Sequence, residues 1–125
     1  MNRALQIIVA LPGLLFVGMG LRWIIDPTGA AAFSGMPLLD GVGLSSQIGD
    51  LGAFFLCLGL FIFLGLITRK RCWFVAPLML VGITAVFRVL AWLLHDAALA
   101  VDMIVPELII AGILAYAASR LPNQP

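Results

Sequence analysis

Hydrophobic positions along this chain neither alternate with polar ones nor mark the single stripe of an amphipathic soluble helix. They gather in four almost unbroken runs, 4–25, 48–67, 73–94 and 99–119. Each run approaches or reaches the roughly 20 residues that cross the hydrocarbon of a bilayer as a helix. In lipid every backbone N–H and C=O must be satisfied by the chain itself, which leaves helices or closed barrels. The runs lack the dyad polar alternation and the short length of barrel strands. The pattern predicts an all-α integral membrane four-helix bundle, one transmembrane domain over residues 1–125.

The first run invites comparison with a secretory signal, because Arg3 precedes it and Ala30 and Ala32 form an A-x-A pattern. It is longer than the apolar core of a signal, and the alanines lie beyond Asp26 and Pro27, so a retained span is the expectation. Residues 26–47 form the one long connection, and their Gly, Ser and Pro content predicts irregular structure rather than a fifth span. Asp26-Pro27 should stop the first helix, since proline disfavours helical geometry in the residue before it. Ser45 or Ser46 is placed to cap the second. The short apolar stretches 30–33 and 36–39 would let this connection dip toward the membrane interface.

Composition changes the picture by excluding a soluble domain. Of 125 residues, 63% are hydrophobic and only 10% charged. Globular chains run nearer one-half apolar and about one-quarter charged, and a domain of this size could not hide the excess from water. A formal net charge of +1 without a basic face argues against nucleic acid as a partner, and leaves membrane lipids. Cys57 falls mid-helix and Cys72 at a helix start, about 15 Å apart in depth at 1.5 Å per residue, so a disulfide between them is not expected.

Basic residues set the orientation. Arg3, the cluster Arg69, Lys70 and Arg71, and Arg120 fall on one side of the predicted bundle, while the opposite connections hold Asp26, Asp40, Asp96 and Asp102. Cytoplasmic loops carry the excess of Lys and Arg, so both termini are expected in the cytoplasm. The turn 69–71 then becomes a basic cytoplasmic hairpin with Trp73 as its interfacial anchor.

Candidate chemistry rests on ionisable side chains inside the spans, which are costly there and mark a site by default. Arg22, Asp50, Arg88 and Glu107 come one from each span, and all fall within about 10 Å of the same outer face at 1.5 Å per residue. Two are positive and two negative, so the set can neutralise itself. Helical phase places Thr84, Arg88 and His95 on one stripe, Glu107 with Ala111 and Ala118 on another, and Gly18 one turn before Arg22. Gly49, Gly52 and Gly59 adjoin Asp50, and small residues let helices approach closely, so the charges are expected to face neighbouring helices. Spans three and four form a tight hairpin that should pair Arg88 with Glu107. Pro106 frees a carbonyl near Asp102 if the last helix begins before it. Three readings stay open: ion pairs that fix helix register without binding anything, a ligand or ion site formed by Arg22, Asp50, Arg88, Glu107, Thr84 and His95, and, behind both, catalysis by the same charges.

Established catalytic motifs do not stand out. There is no phosphate-cradling G-x-x-x-x-G-K-[ST] loop and no G-x-S-x-G elbow. His95, Asp96 and Asp102 could touch a metal, but a solvated helix end is the simpler account of them, so neither a metal site nor a catalytic residue is assigned. Phe54, Phe55, Phe61, Phe63 and Trp92 suit packing or lipid contact. The cofactor is left unknown.

Pro27 after span one, Gly49-Asp50 opening span two, a basic hairpin, Arg88 in span three and Glu107 in span four form an ordered pattern. It resembles the small DoxX-like four-helix membrane proteins of bacteria, in particular a branch known only as a domain of unknown function. The resemblance covers nearly the whole chain and implies the four-helix fold and a bacterial inner-membrane location. Named members of the wider family are linked to quinone-coupled sulfur oxidation or redox-stress complexes. This chain departs from that chemistry in having no paired cysteines, so the resemblance carries no reaction to it.

The leading functional expectation is a non-catalytic accessory or small-molecule-binding bundle, with a polar pocket in the outer leaflet for a lipid-like or quinone-like molecule. A proton-linked transporter working as a homodimer, and the membrane subunit of a quinone-linked oxidoreductase, are the alternatives. The sequence is compatible with a homodimer or a larger membrane complex.

Overall fold

The structure, a computed structural model, describes residues 1–121. It is helical, and no strand occurs among the described residues. α1 (Arg3–Ile25) begins where the Asn2 side chain accepts the Leu5 N–H at 2.8 Å, satisfying one of the donors a helix start leaves free. Asp26 closes it and opens α2 (Pro27–Phe33): its own N–H reaches the Arg22 carbonyl, and its carboxylate accepts the Gly29 N–H at 3.1 Å. Pro27 takes the first helical position, where a missing N–H is harmless. The stop expected at Asp26-Pro27 is therefore present.

The connection that follows departs from expectation. It is not irregular from 26 to 47, because α2 occupies its first part and α3 (Gly41–Thr68) claims its last. Ser45 and Ser46 do not cap α3; they lie within it, and the helix starts at Gly41 rather than near residue 48. The breaker residues that suggested a loop sit where helices tolerate them, Pro27 at a first position and Gly41 at a helix start. Inside α3, Gln47–Leu51 forms a π-helical turn. The Gln47 side chain is buried and straps down the chain before the helix: Oε1 accepts the Leu39 N–H at 2.9 Å, and Nε2 donates to the Pro37 carbonyl at 2.9 Å and to Met36 Sδ at 3.2 Å. A buried amide without partners would cost about 1–3 kcal/mol, so these bonds fix the connection against the bundle.

α4 (Cys72–His95) and α5 (Val101–Ser119) complete the element order, their ends within two residues of the predicted runs. α1, α3, α4 and α5 are long and apolar enough to cross a membrane, and only 22–33% of the most apolar stretch of each is buried inside the protein. Ile7, Leu11, Leu14, Ile67, Phe87, Leu93 and Leu108 all point outward. An apolar exterior of that extent is the surface a multi-pass membrane protein offers to lipid. Cys57 and Cys72 are free thiols on the exterior, as their separation in depth requires.

Glycine sets the tightest contact, between α1 and α3. A Cβ on Gly20 would stand 2.6 Å from the Leu56 backbone nitrogen, and one on Gly59 would stand 2.7 Å from the Gly13 carbonyl oxygen. The two backbones touch directly, the usual way helices gain packing when lipid supplies no hydrophobic drive between them. α3 turns into α4 through Arg69, in the left-handed region at φ 56°, and Gly65 accepts the buried Phe74 ring. Val9, Phe16, Leu58, Ile62, Phe74, Val81 and Leu114 form one continuous core from all four long helices. Arg71, in the basic turn, donates from Nε to the Ala118 carbonyl at 3.0 Å and from Nη2 to the Leu121 carbonyl at 2.7 Å. It thereby adds a second donor to the Ala118 carbonyl, which already accepts the Leu121 N–H, and ties the chain just past the end of α5 to the basic turn.

Candidate functional site

The five-residue connection 96–100 brings α4 and α5 side by side. Asp96 adopts the left-handed conformation at φ 56°, and its N–H and that of Ala97 both reach the Ala91 carbonyl, which turns the chain back sharply. Arg88 and Glu107, each about two turns inside the hairpin, then face each other. Arg88 donates its Nε–H to Glu107 Oε1 at 2.5 Å, the pairing that the hairpin register predicts. The pair is not equally sheltered: the Arg88 side chain is 34% exposed and that of Glu107 only 16%. The second carboxylate oxygen, Oε2, is buried and has no hydrogen-bond partner among the described residues.

α5 begins at Val101, so Pro106 is interior and has no N–H to give the Asp102 carbonyl one turn earlier. Asp102 and Glu107 both border a cavity of about 380 Å³, together with Arg88 and Ser34. Leu15, Phe16 and Met19 of α1 and Leu51 and Phe55 of α3 make its apolar walls, and Phe33 and Met36 come over it from the α2 connection. The apolar stretches read as dipping toward the interface thus serve the bundle: Ala30 and Ala31 bury against Trp23, while Phe33 and Met36 line the cavity. Trp23 is itself fully buried, and its indole N–H has no partner among the described residues.

The remaining predicted site residues are dispersed. Arg22 pairs with Asp26, one turn further along, at 3.6 Å, and both side chains are about half exposed. Its flank position follows from its neighbours, since Gly20 and Trp23 take the face of α1 that meets α3. Gly18, one turn before Arg22, has open space beside it rather than a helix. Asp50 is exposed, and its carboxylate has no partner among the described residues. Gly52 faces α1, and residues two apart do not share a helix face, so Asp50 points away from the bundle. The expectation of four charges converging inside the bundle is therefore corrected to one sheltered pair, one peripheral pair and one outward carboxylate. Thr84 donates its hydroxyl to the Leu80 carbonyl at 2.7 Å and stays clear of the cavity. His95 is exposed at the end of α4, and no group of three His, Cys, Asp or Glu among the described residues is placed to hold a metal ion.

Sequence reasoning missed two residues. Gln47 is the buried polar strap of the connection, and Asp102 is a third charge on the cavity. The signal for Gln47 was its position against an apolar span, where an amide must find partners; for Asp102 the proline four residues after it points to its carbonyl and carries no signal for its side chain. No family model, curated protein or solved structure matches this chain.

Proposed function

We propose that this chain is a non-catalytic multi-pass protein of a bacterial inner membrane that holds a small amphipathic molecule, lipid-like or quinone-like, in the cavity beside Arg88 and Glu107. One observation carries the reading: an apolar cavity of about 380 Å³ is bordered by a sheltered ion pair whose second carboxylate oxygen has no partner among the described residues. Ligand sites are mostly apolar, roughly 300–1,000 Å³, with a few convergent polar groups, and this cavity lies at the small end of that range. It sits at one end of the bundle, which suits residence of a molecule better than its passage. With the termini and the turn at Arg69 to Arg71 cytoplasmic, the cavity belongs to the outer leaflet. The affinity with DoxX-like proteins belongs to the same proposal and supplies the accessory role, in a homodimer or a larger complex. Purification in a mild detergent, followed by mass measurement and organic extraction, tests it. A small amphiphile bound near one per chain, and lost when Met103→Trp fills the cavity, is the expected result. Equal extracts from the native and filled proteins would overturn the reading.

A further inference from the structure

Charge is divided sharply between the two ends of the bundle. Five of the seven basic residues, Arg3, Arg69, Lys70, Arg71 and Arg120, lie toward one end, and all six acidic residues lie toward the other. The fold gathers the five. α1 and α3 run antiparallel, with Gly20 against Leu56 and Gly13 against Ile62, which sets Arg3 level with the turn 69–71. Arg71 reaches from that turn to the Ala118 and Leu121 carbonyls, and Arg120 lies between the two residues it holds. The Arg120 guanidinium is 5.9 Å from the centre of the Tyr116 ring, one turn back on an outward face of α5. No carboxylate among the described residues pairs with any of the five. Helix dipoles do not provide the missing negative charge, because α1 and α4 begin at this end while α3 and α5 finish there.

We infer that this end of the bundle binds an anionic phospholipid, its phosphate drawn to Arg69, Lys70 and Arg120 around the Arg71 tie and its acyl chains beside Tyr116. The site is separate from the cavity and does not depend on it. Like charges gathered within a Debye length of about 8–10 Å repel one another, so a bound anion relieves that repulsion as well as being attracted. A phosphodiester suits these groups, because a guanidinium offers paired N–H donors to phosphate oxygens. Two of the guanidinium groups are already placed, Arg71 by backbone carbonyls and Arg120 over a ring. What borders the charges favours a lipid over a soluble acidic partner. Tyr116 and Ile67 point outward beside them, and Trp73 stacks on Phe61 just past the turn. The basic groups therefore sit where the apolar exterior ends, at the depth of lipid phosphates with hydrocarbon directly beneath. With the orientation proposed above, the lipid comes from the cytoplasmic leaflet.

Native mass spectrometry of the full chain in a mild non-ionic detergent tests the inference, with phosphatidylglycerol and phosphatidylcholine of identical chains offered at equal concentration. Wild-type protein should retain phosphatidylglycerol about tenfold over phosphatidylcholine, and the preference should shrink in concentrated salt. Arg120→Gln and Lys70→Gln should each lower it several-fold, and together they should bring the two lipids close to parity. Both side chains are exposed, so the fold does not depend on them, and an unchanged melting temperature checks this. Arg22→Gln removes an equal charge from the opposite end and should leave the preference as it is. Equal retention of the two lipids by the wild type, or retention of neither, would overturn the site. So would a preference that survives the double change, or one that falls as far with Arg22→Gln as with Arg120→Gln, since net charge alone would then account for it.

Discussion

Replacing Arg88 and Glu107 by leucine, singly and together, should show that they act as a unit. Breaking a buried pair costs about 3–5 kcal/mol because one charge is left stranded, whereas exchanging both partners for apolar residues is often neutral. The two single changes are not equivalent in this structure. Arg88→Leu strands Glu107, which is 16% exposed and would then have neither oxygen bonded, so the full range of about 3–5 kcal/mol applies. Glu107→Leu strands Arg88, which is 34% exposed on a long stem that can carry its head to water, so the loss should be nearer 1–3 kcal/mol. The double variant should lie within about 1 kcal/mol of the wild type, giving a coupling of at least about 3 kcal/mol. Denaturant unfolding in mild detergent, followed by tryptophan fluorescence, measures all four proteins. Losses that add to within about 0.5 kcal/mol would show that the two residues do not interact and would refute the sheltered pair. If the double variant regains stability yet retains no bound amphiphile, the pair serves the ligand as well as the fold.

Gly20→Ala should destabilise by about 2 kcal/mol or more, because its Cβ would meet backbone at 2.6 Å, while Gly82→Ala, with open space around it, should be neutral or raise the melting temperature. Gln47→Leu should cost about 1–3 kcal/mol and open residues 36–39 to proteolysis, since the amide holds Pro37 and Leu39; unchanged cleavage would show that the strap does not hold the connection. In a background lacking Cys57 and Cys72, an impermeant thiol reagent applied to intact cells should label Gly41→Cys and spare Thr68→Cys and Ser119→Cys. The reverse labelling would invert the orientation and place the cavity in the cytoplasmic leaflet.

Spans were legible because length and apolarity alone decide them in lipid, and the ends of α1, α4 and α5 fall close to the predicted runs. The start of α3 was not, because Gly41, Ser45 and Ser46 read as breakers, whereas a helix strapped by Gln47 carries them at little cost. In the site, the Arg88–Glu107 pair could be read from hairpin register, since a short turn fixes which residues of two neighbouring helices lie opposite. Asp50 could not be placed by depth along the span, which says nothing of azimuth; the contact of Gly52 with α1 decides that, and it turns Asp50 outward. Arg22 found a nearer carboxylate one turn along its own chain. Depth is written in the sequence of a span, and rotation is written in its contacts.

Arg71 gives α5 a property that its apolar packing alone would not. The helix is tied at its end by the guanidinium on the Ala118 and Leu121 carbonyls, and nearer its start by Arg88 on Glu107. Two polar attachments on different turns of one helix fix its height as well as its roll. A slip of one turn, about 5.4 Å, would break both at once, and inside the bilayer lipid offers Glu107 no substitute donor. α5 therefore behaves as a fixed post rather than a piston. Any change in the shape of the cavity has to come from movement of the walls that α5 does not build.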